Sequence, residues 1–122
     1  MNSTINLDYL SASVGGHKEI LLELFDIFIK QIPENIASLN EAISNADYPA
    51  IKQISHKLKS TVSVMGISTL KPILDQMEFL ATADHEDLRL DSIKKLFEQV
   101  KEICTMAIEE ILFEKNRIST VN

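Results

Sequence analysis

The sequence predicts an all-α protein, an antiparallel up-down four-helix bundle with a short extra helix at its N-terminal end. Apolar residues recur at the i, i+3, i+4, i+7 spacing of packed helices along most of the 122 residues. Three glycines and three prolines are too few for a turn-rich β-sandwich or a glycine-rich phosphate loop. Four amphipathic segments joined by short breaks are typical of such a bundle. The length suits one domain, 1–122, with its core at about 7–115.

The first half of the chain contains the short helix and the first long one. A helix is predicted over 6–13, before Gly15 and Gly16 break the chain. In the long helix that follows, Pro33 is expected to kink or restart the helix, because its ring clashes with the preceding turn. The apolar stripe of this helix consists of Leu21, Leu24, Phe25, Phe28, Ile32, Ile36, Leu39 and Ile43.

Three more long helices follow. The first covers about 49–65, with Asp47 placed to cap its start and Gly66 expected to end it in a left-handed conformation. After a cap at Ser68, the next helix carries apolar residues over 70–81, and 82–87 is predicted to be a polar loop. The last helix carries its stripe over 93–111, and the tail from Asn116 is expected to fray.

Composition limits the function classes. Twelve basic and 18 acidic side chains give a net charge of −6, which argues against binding to nucleic acid or to an anionic membrane. The single cysteine, Cys104, lies on an apolar stripe, is interpreted as a core residue, and fits a reducing compartment. Residues 1–8 lack the features of a signal peptide, and charges interrupt every apolar stretch. We therefore expect a cytoplasmic protein.

The segment 51–65, IKQISHKLKSTVSVM, separates into two nearly opposite faces at 100° per residue. The first face is the predicted core stripe and contains Ile51, Ile54, Leu58, Val62 and Met65. The second face is polar and contains Lys52, His56, Lys59, Ser60 and Ser63. His56 is therefore predicted to face solvent.

The neighbours of His56 suggest a histidine that carries phosphate. Lys52 and Lys59 share its face at i−4 and i+3. Two cations are expected to disfavour a charged imidazole, which preserves a nitrogen lone pair for attack, and to stabilise a phosphoryl group once it is attached. Small side chains at Ser60 and Ser63 allow a partner to approach closely. By contrast, His17 and His85 are interpreted as ordinary solvated side chains.

The same segment resembles a known family signature. The run HKLKS at 56–60, followed by Gly66, resembles the H-x-L-K-G motif of histidine-containing phosphotransfer (HPt) domains, which have a glycine ten positions after the histidine. The resemblance extends over roughly 7–111. The other positions that match the family framework are Phe28, Pro33, Leu39, Ala42, Asp47, Leu70, Met77 and Glu78.

The resemblance implies a phosphorelay intermediate of four-helix architecture. His56 would take a phosphoryl group from the aspartyl phosphate of a response-regulator receiver domain and pass it to another receiver aspartate. Lys59 would neutralise the phosphoryl oxygens. Ser60 stands where the family usually has glycine, so its hydroxyl either bonds the phosphoryl group or is merely solvated. The receiver would supply Mg²⁺, so no cofactor of the chain's own is expected.

The partners implied are receiver domains and a hybrid sensor kinase, with the chain itself a monomer. A cationic patch around His56 is expected to complement the acidic pocket of a receiver. For each predicted docking residue, the alternative interpretation is a solvated surface side chain with no role in binding. These residues are Lys52, Lys57, Ser63 and Val64.

Two alternatives remain. The run at 55–60 also resembles the SHELKTP box of the dimerisation and phosphoacceptor domain of sensor kinases, but Lys57 replaces the acid after the histidine and the proline is missing. No ATP motif is present, so we expect a phosphocarrier and not an enzyme, either free-standing or a fragment of a hybrid kinase. The other alternative is a helical adaptor without phosphate chemistry. The sequence contains no Glu-x-x-His pair of the kind that binds metal in helical bundles, so no metal site is predicted.

Overall fold

The computed structural model describes residues 4–82 and 89–120, apart from the side chain of Thr120, and these residues form helices without strands. The helices are α1 (Leu7–Ser13), α2 (Lys18–Ser44), α3 (Tyr48–Val64), α4 (Leu70–Thr82) and α5 (Arg89–Thr120). The four longer helices form a bundle and α1 packs against α2. The predicted fold class is confirmed.

The long helices follow one another around the bundle. α3 packs against α2 and α4, and α5 also packs against α2 and α4, so α3 and α5 occupy diagonal positions. The ion pair between Asp26 and Lys115 joins the first half of α2 to the end of α5, as expected for antiparallel neighbours. α3 therefore has two partner helices and one face left open to solvent.

Polar caps and a glycine define the helix ends close to the predicted positions. Asn6 Oδ1 accepts a hydrogen bond from the backbone N–H of Tyr9 at the start of α1 (2.9 Å). Asp47 Oδ1 accepts one from the N–H of Ala50 (3.2 Å), as predicted for the start of α3. Gly66 has a φ of +69° directly after α3, which confirms the predicted left-handed end.

Proline does not divide α2. Pro33 lies inside the continuous helix Lys18–Ser44, so the predicted restart is wrong. The proline removes one backbone hydrogen bond, but Ile32 and Leu39 are wholly buried on either side of it. This packing holds both halves of the helix against the same core.

The end of the chain also differs from the prediction. α5 continues to Thr120, so the expected fraying from Asn116 is wrong. Arg117 pairs with Glu114 within the last turns, with Nη2 2.6 Å from Oε2, and this i, i+3 pair supports the helix. Thr82 is the last residue of α4 and not part of a loop; the rest of the predicted loop, with His85, lies outside the described residues.

The core stripe of α3 is close to the predicted one. Ile51, Leu58, Val62 and Met65 are wholly buried and Ile54 is half-buried. The prediction omitted a polar member. The hydroxyl of Ser55 is also fully buried, and among the described residues it has no hydrogen-bond partner. Cys104 is buried, as predicted, and burial raises the pKa of its thiol to about 12.

Segment 4–6 is tied to one end of the bundle. The N–H of Asn6 donates to the carbonyl of Met65 (3.2 Å), and the N–H of Thr4 donates to Glu110 Oε2 (2.7 Å). A β-carbon on Gly66 would lie only 2.6 Å from Asn6 Cβ. The absence of a side chain at Gly66 therefore allows this close approach.

The longest helix, α5, spans 32 residues. Charged side chains recur along it. Within the described ranges, none of the helices combines the length and apolar character that a bilayer crossing requires.

Candidate functional site

His56 lies in the middle of α3, at the solvent-exposed edge of the contact between α3 and α4. Its side chain is 71% exposed, so the predicted outward orientation is confirmed. The wholly buried residues Ile51, Leu58 and Val62 hold the opposite side of the same helix in the core. A rigid packed helix therefore presents a solvent-accessible imidazole.

A carboxylate on the neighbouring helix contacts this imidazole. Glu78 Oε1 lies 3.0 Å from His56 Nδ1, across the contact between α3 and α4. The sequence analysis noted Glu78 only as part of the family framework and missed the contact. Because α3 and α4 are antiparallel, a residue far along the chain reaches the histidine.

The protonation state of Glu78 fixes the direction of that hydrogen bond. Partial burial alone would raise the pKa of Glu78, but hydrogen bonds from Lys59 and His56 outweigh it and bring that pKa below the ordinary value. The carboxylate is therefore ionised near neutral pH and accepts only. His56 Nδ1 is then the donor, and the lone pair of the neutral ring lies on Nε2.

Lys59 lies against two carboxylates of α4. Its Nζ is 2.7 Å from Asp75 Oδ1 and 2.5 Å from Glu78 Oε2. The hydrogen bonds that Lys59 donates to Asp75 and then to Glu78 raise the pKa of Lys59. Only 22% of the Lys59 side chain is exposed, so the expectation of a lysine simply facing water is wrong. The α3–α4 contact covers it and supplies the acids.

The acidic residue Asp75 has a second cation. Lys71 Nζ lies 3.3 Å from Asp75 Oδ2, one turn earlier on α4. Hydrogen bonds from Lys59 and then Lys71 lower the pKa of Asp75. We call the connected side chains His56, Glu78, Lys59, Asp75 and Lys71 the charge chain.

The structure corrects the predicted surroundings of the imidazole. Sequence reasoning placed two lysines around His56, but the charged group in contact with the ring is the carboxylate of Glu78. Lys59 is held by acids, and Lys52 forms no hydrogen bond or ion pair with another described residue. The remaining predicted site residues are all exposed on α3. These are Lys52, Lys57, Ser60, Ser63 and Val64.

A large apolar side chain beside the charge chain was also missed. Phe79 directly follows Glu78 and is 70% exposed. The sequence could have predicted this exposure, because Phe79 lies outside the apolar stripe of α4 that includes Leu74 and Met77. Phe79 therefore adds an exposed aromatic ring to α4, and aromatic side chains are enriched at the centres of protein–protein interfaces.

Other places where small molecules could bind are distant or incomplete. A groove of about 440 Å³ lies between α2 and α5 around Pro33 and Cys104, on the far side of the bundle from α3. Among the described residues, no group of three or more histidine, cysteine or acidic side chains could hold a metal ion. Of these places, the charge chain is the one that combines an exposed nucleophilic side chain with charged neighbours.

Comparisons with known proteins assign the family. The family model described as the Hpt domain matches residues 23–111, which include all of α3 and α4. The chain belongs to the Hpt family. The family assignment agrees with the resemblance found in the sequence and with a phosphotransfer role in a phosphorelay. It also removes the ground for the alternative of an adaptor without phosphate chemistry.

A solved structure supports the fold of this Hpt domain. The chain is similar to histidine-containing phosphotransfer protein B (HptB) from Pseudomonas aeruginosa PAO1, with a TM-score of 0.83 and 20% sequence identity. The similarity covers 96% of this chain and 98% of that one. Among curated proteins, no sequence matches this chain.

Proposed function

We propose that His56 is the phosphoacceptor of this Hpt domain and moves a phosphoryl group between aspartates of response-regulator receiver domains. The observation that carries the proposal is that the imidazole of His56 is both exposed to solvent and held in a fixed orientation. His56 is 71% exposed, while its Nδ1 is bonded to the ionised, largely buried carboxylate of Glu78. Nε2 is therefore the nucleophilic nitrogen and is accessible to a protein partner.

The transfer follows from this geometry. The Nε2 lone pair attacks phosphorus as the bond between phosphorus and the receiver's aspartyl oxygen breaks, and the aspartate leaves as a carboxylate. The ring then carries positive charge, with its proton still on Nδ1. Glu78 stabilises that charge through the same hydrogen bond. Transfer to the next receiver reverses each bond change and leaves the neutral ring.

Lys59 and Ser60 are the proposed aids to His56. Lys59 is three positions from His56 on the same helix and has three N–H donors for the phosphoryl oxygens. Ser60 is exposed and one turn from His56, which lets its hydroxyl donate to the same group. The chain needs no metal of its own in this scheme, because Mg²⁺ would accompany the receiver's aspartate.

The docking surface proposed for receivers surrounds His56. Lys52 and Lys57 are exposed cations that would complement the acidic pocket of a receiver. Ser63 and Val64 extend the surface toward the end of α3, and Val64 is 44% exposed. This surface suits a monomeric domain that exchanges phosphate with receiver domains, either in separate response regulators or within a hybrid sensor kinase.

The proposal is tested by labelling. A receiver domain carrying ³²P-labelled aspartyl phosphate is mixed with the chain, and the label is expected to be stable in base and labile in acid, as for a phosphorus–nitrogen bond. His56→Gln should abolish labelling, and His17→Gln, at the exposed position just before α2, is the matched control that should keep it. Wild-type labelling in His56→Gln would overturn the assignment.

ATP separates this proposal from the kinase alternative. A dimerisation and phosphoacceptor domain takes phosphate from ATP bound by its kinase, whereas the proposed carrier needs a receiver. Incubation of the chain with labelled ATP alone is therefore expected to leave His56 unlabelled. Labelling by ATP without any receiver would favour the kinase alternative.

A further inference from the structure

The lysine expected to meet the phosphoryl group is already neutralised before any phosphate arrives. Lys59 Nζ lies between Asp75 Oδ1 at 2.7 Å and Glu78 Oε2 at 2.5 Å. Its side chain is 22% exposed, so water replaces these partners poorly. Any interaction of Lys59 with a phosphoryl group on His56 therefore competes with two carboxylates.

The two carboxylates differ in how easily they release the lysine. Glu78 is 17% exposed and also accepts the hydrogen bond of His56. Asp75 is 43% exposed and has a second cation, because Lys71 Nζ lies 3.3 Å from its other oxygen. If Lys59 turns away, Asp75 keeps a counter-charge and access to water. Asp75 is thus the partner that Lys59 leaves at least cost.

The net charge of the charge chain indicates what happens when Lys59 leaves Asp75 for the phosphoryl group. Two carboxylates and two ammonium groups cancel while the imidazole is neutral. A phosphoryl group adds a charge of about −2 next to them, and the positive ring offsets about one unit of it, so the net addition is about −1. With Asp75 present, the phosphorylated site holds an excess of negative charge, and Lys59 must serve both the phosphoryl oxygens and the acids.

We propose that Asp75 is a positioning residue that acts through Lys59 and lowers the affinity of His56 for the phosphoryl group, which favours onward transfer to a receiver. The inference rests on the proposed function of His56. In the transfer the phosphorus–Nε2 bond breaks as the bond to the receiver's carboxylate oxygen forms, and the proton on Nδ1 stays in place. Asp75 takes no proton and touches no reacting atom; it draws Lys59 back as the phosphoryl group leaves.

The experiment measures the transfer equilibrium in both directions. A purified receiver that labels the wild-type chain is charged with phosphoramidate, and rapid quenching gives the forward and reverse rates, whose ratio is the equilibrium constant. Asp75→Asn should shift this constant toward phosphohistidine by about three- to tenfold, because Lys59 is freed for the phosphoryl oxygens. Thermal unfolding followed by circular dichroism verifies that the variant is folded.

Two controls separate the action through Lys59 from a general charge effect. Glu98→Gln removes one negative charge from a comparable pair with Lys101 on α5 and should leave the constant unchanged. In a Lys59→Met background, Asp75→Asn should have no further effect, since the residue it acts through is missing. An equal shift in that background, or with Glu98→Gln, would overturn the inference.

The outcomes also separate this inference from the proposed function. If the wild-type chain exchanges phosphate at His56 but Asp75→Asn leaves the constant within twofold, or moves it toward the receiver, the role of Asp75 is wrong and the proposed function stands. If no receiver labels His56 in the wild-type chain, the proposed function fails and this inference fails with it.

Discussion

Glu78 Oε1 lies 3.0 Å from His56 Nδ1, so that an acid on α4 and a histidine on α3 form one unit although 22 positions separate them in the chain. The pair gives the imidazole a defined proton position. It also connects the histidine to Lys59 through the second carboxylate oxygen. The chemistry proposed for His56 therefore depends on a contact between two helices.

Removal of the Glu78 carboxylate is expected to slow phosphotransfer. Glu78→Ala leaves His56 Nδ1 without its acceptor, so the proton distributes between both ring nitrogens and the positive ring of the intermediate loses its counter-charge. We expect a decrease in the transfer rate of about tenfold, equivalent to about 1.4 kcal/mol in the barrier. Single-turnover transfer from a phosphorylated receiver measures it.

The conservative variant separates orientation from charge. Glu78→Gln keeps an oxygen that accepts from Nδ1 but removes the negative charge. Its rate should lie between those of wild type and Glu78→Ala, and ¹⁵N NMR of the ring should still show the proton on Nδ1. A wild-type rate in Glu78→Ala would contradict the role of the pair.

Glu78 should also make the free energy of unfolding depend on pH in the acidic range. Burial alone raises its pKa, but hydrogen bonds from Lys59 and His56 outweigh that influence and keep the pKa below the usual 4.5. A carboxylate with a lowered pKa in the folded state stabilises the fold above its unfolded pKa, and this contribution is lost as the pH falls through the folded value. The loss is therefore expected below pH 4.5.

Denaturation across this range provides the measurement. The free energy of unfolding is followed by urea titration from about pH 6 to about pH 3. Glu78→Gln has no carboxylate to take up a proton at position 78 and should lose less stability than wild type over this interval. Asp75, whose pKa is lowered by Lys59 and then Lys71, remains titratable in both proteins. Identical slopes would contradict a lowered pKa for Glu78.

Periodicity was sufficient to predict most of the bundle. Stripes at helical spacing identify buried faces because each helix must cover its apolar side, and this places His56 outward without any knowledge of its neighbours. The same reasoning failed at Pro33, where packing on both sides of the proline outweighs one lost hydrogen bond. It also failed at the end of α5, where Arg117 and Glu114 support the last turns.

The charge chain could not be predicted in the same way. One helical wheel shows which residues of α3 share a face, and it correctly groups His56 with Lys59. It contains no information about which residue of α4 stands opposite. That depends on the register between two antiparallel helices, which the packing of the whole core sets. The contacts that Asp75 and Glu78 make with Lys59 and His56 were therefore missed, although the i, i+3 spacing of the two acids places them on one face of α4.

Gly66 is expected to be sensitive to a single added carbon. Its φ of +69° is unfavourable for any residue with a β-carbon, and that atom would lie 2.6 Å from Asn6 Cβ. Gly66→Ala should destabilise the fold by about 2–3 kcal/mol, of which the left-handed conformation accounts for about 1 kcal/mol. Urea denaturation of the variant measures the loss.

Gly16 offers the matched control for that substitution. Its φ is +76°, but a β-carbon there would meet nothing within 4 Å. Gly16→Ala should therefore cost only the conformational part, about 1 kcal/mol. Adding Asn6→Gly to Gly66→Ala should recover part of the lost stability by removing the clash. Equal losses in the two alanine variants would show that the contact with Asn6 is unimportant.

Phe79 is expected to contribute to receiver binding and not to folding. The ring is 70% exposed beside Glu78, so truncation removes few contacts within the domain. If a receiver covers the ring when it docks over His56, Phe79→Ala forfeits that burial, and the receiver concentration for half-maximal transfer should rise about fivefold. Phe113 on α5 is similarly exposed, at 66%, on a helix diagonal to α3. Phe113→Ala should therefore leave transfer unchanged, and an equal effect of the two variants would contradict a docking role for Phe79.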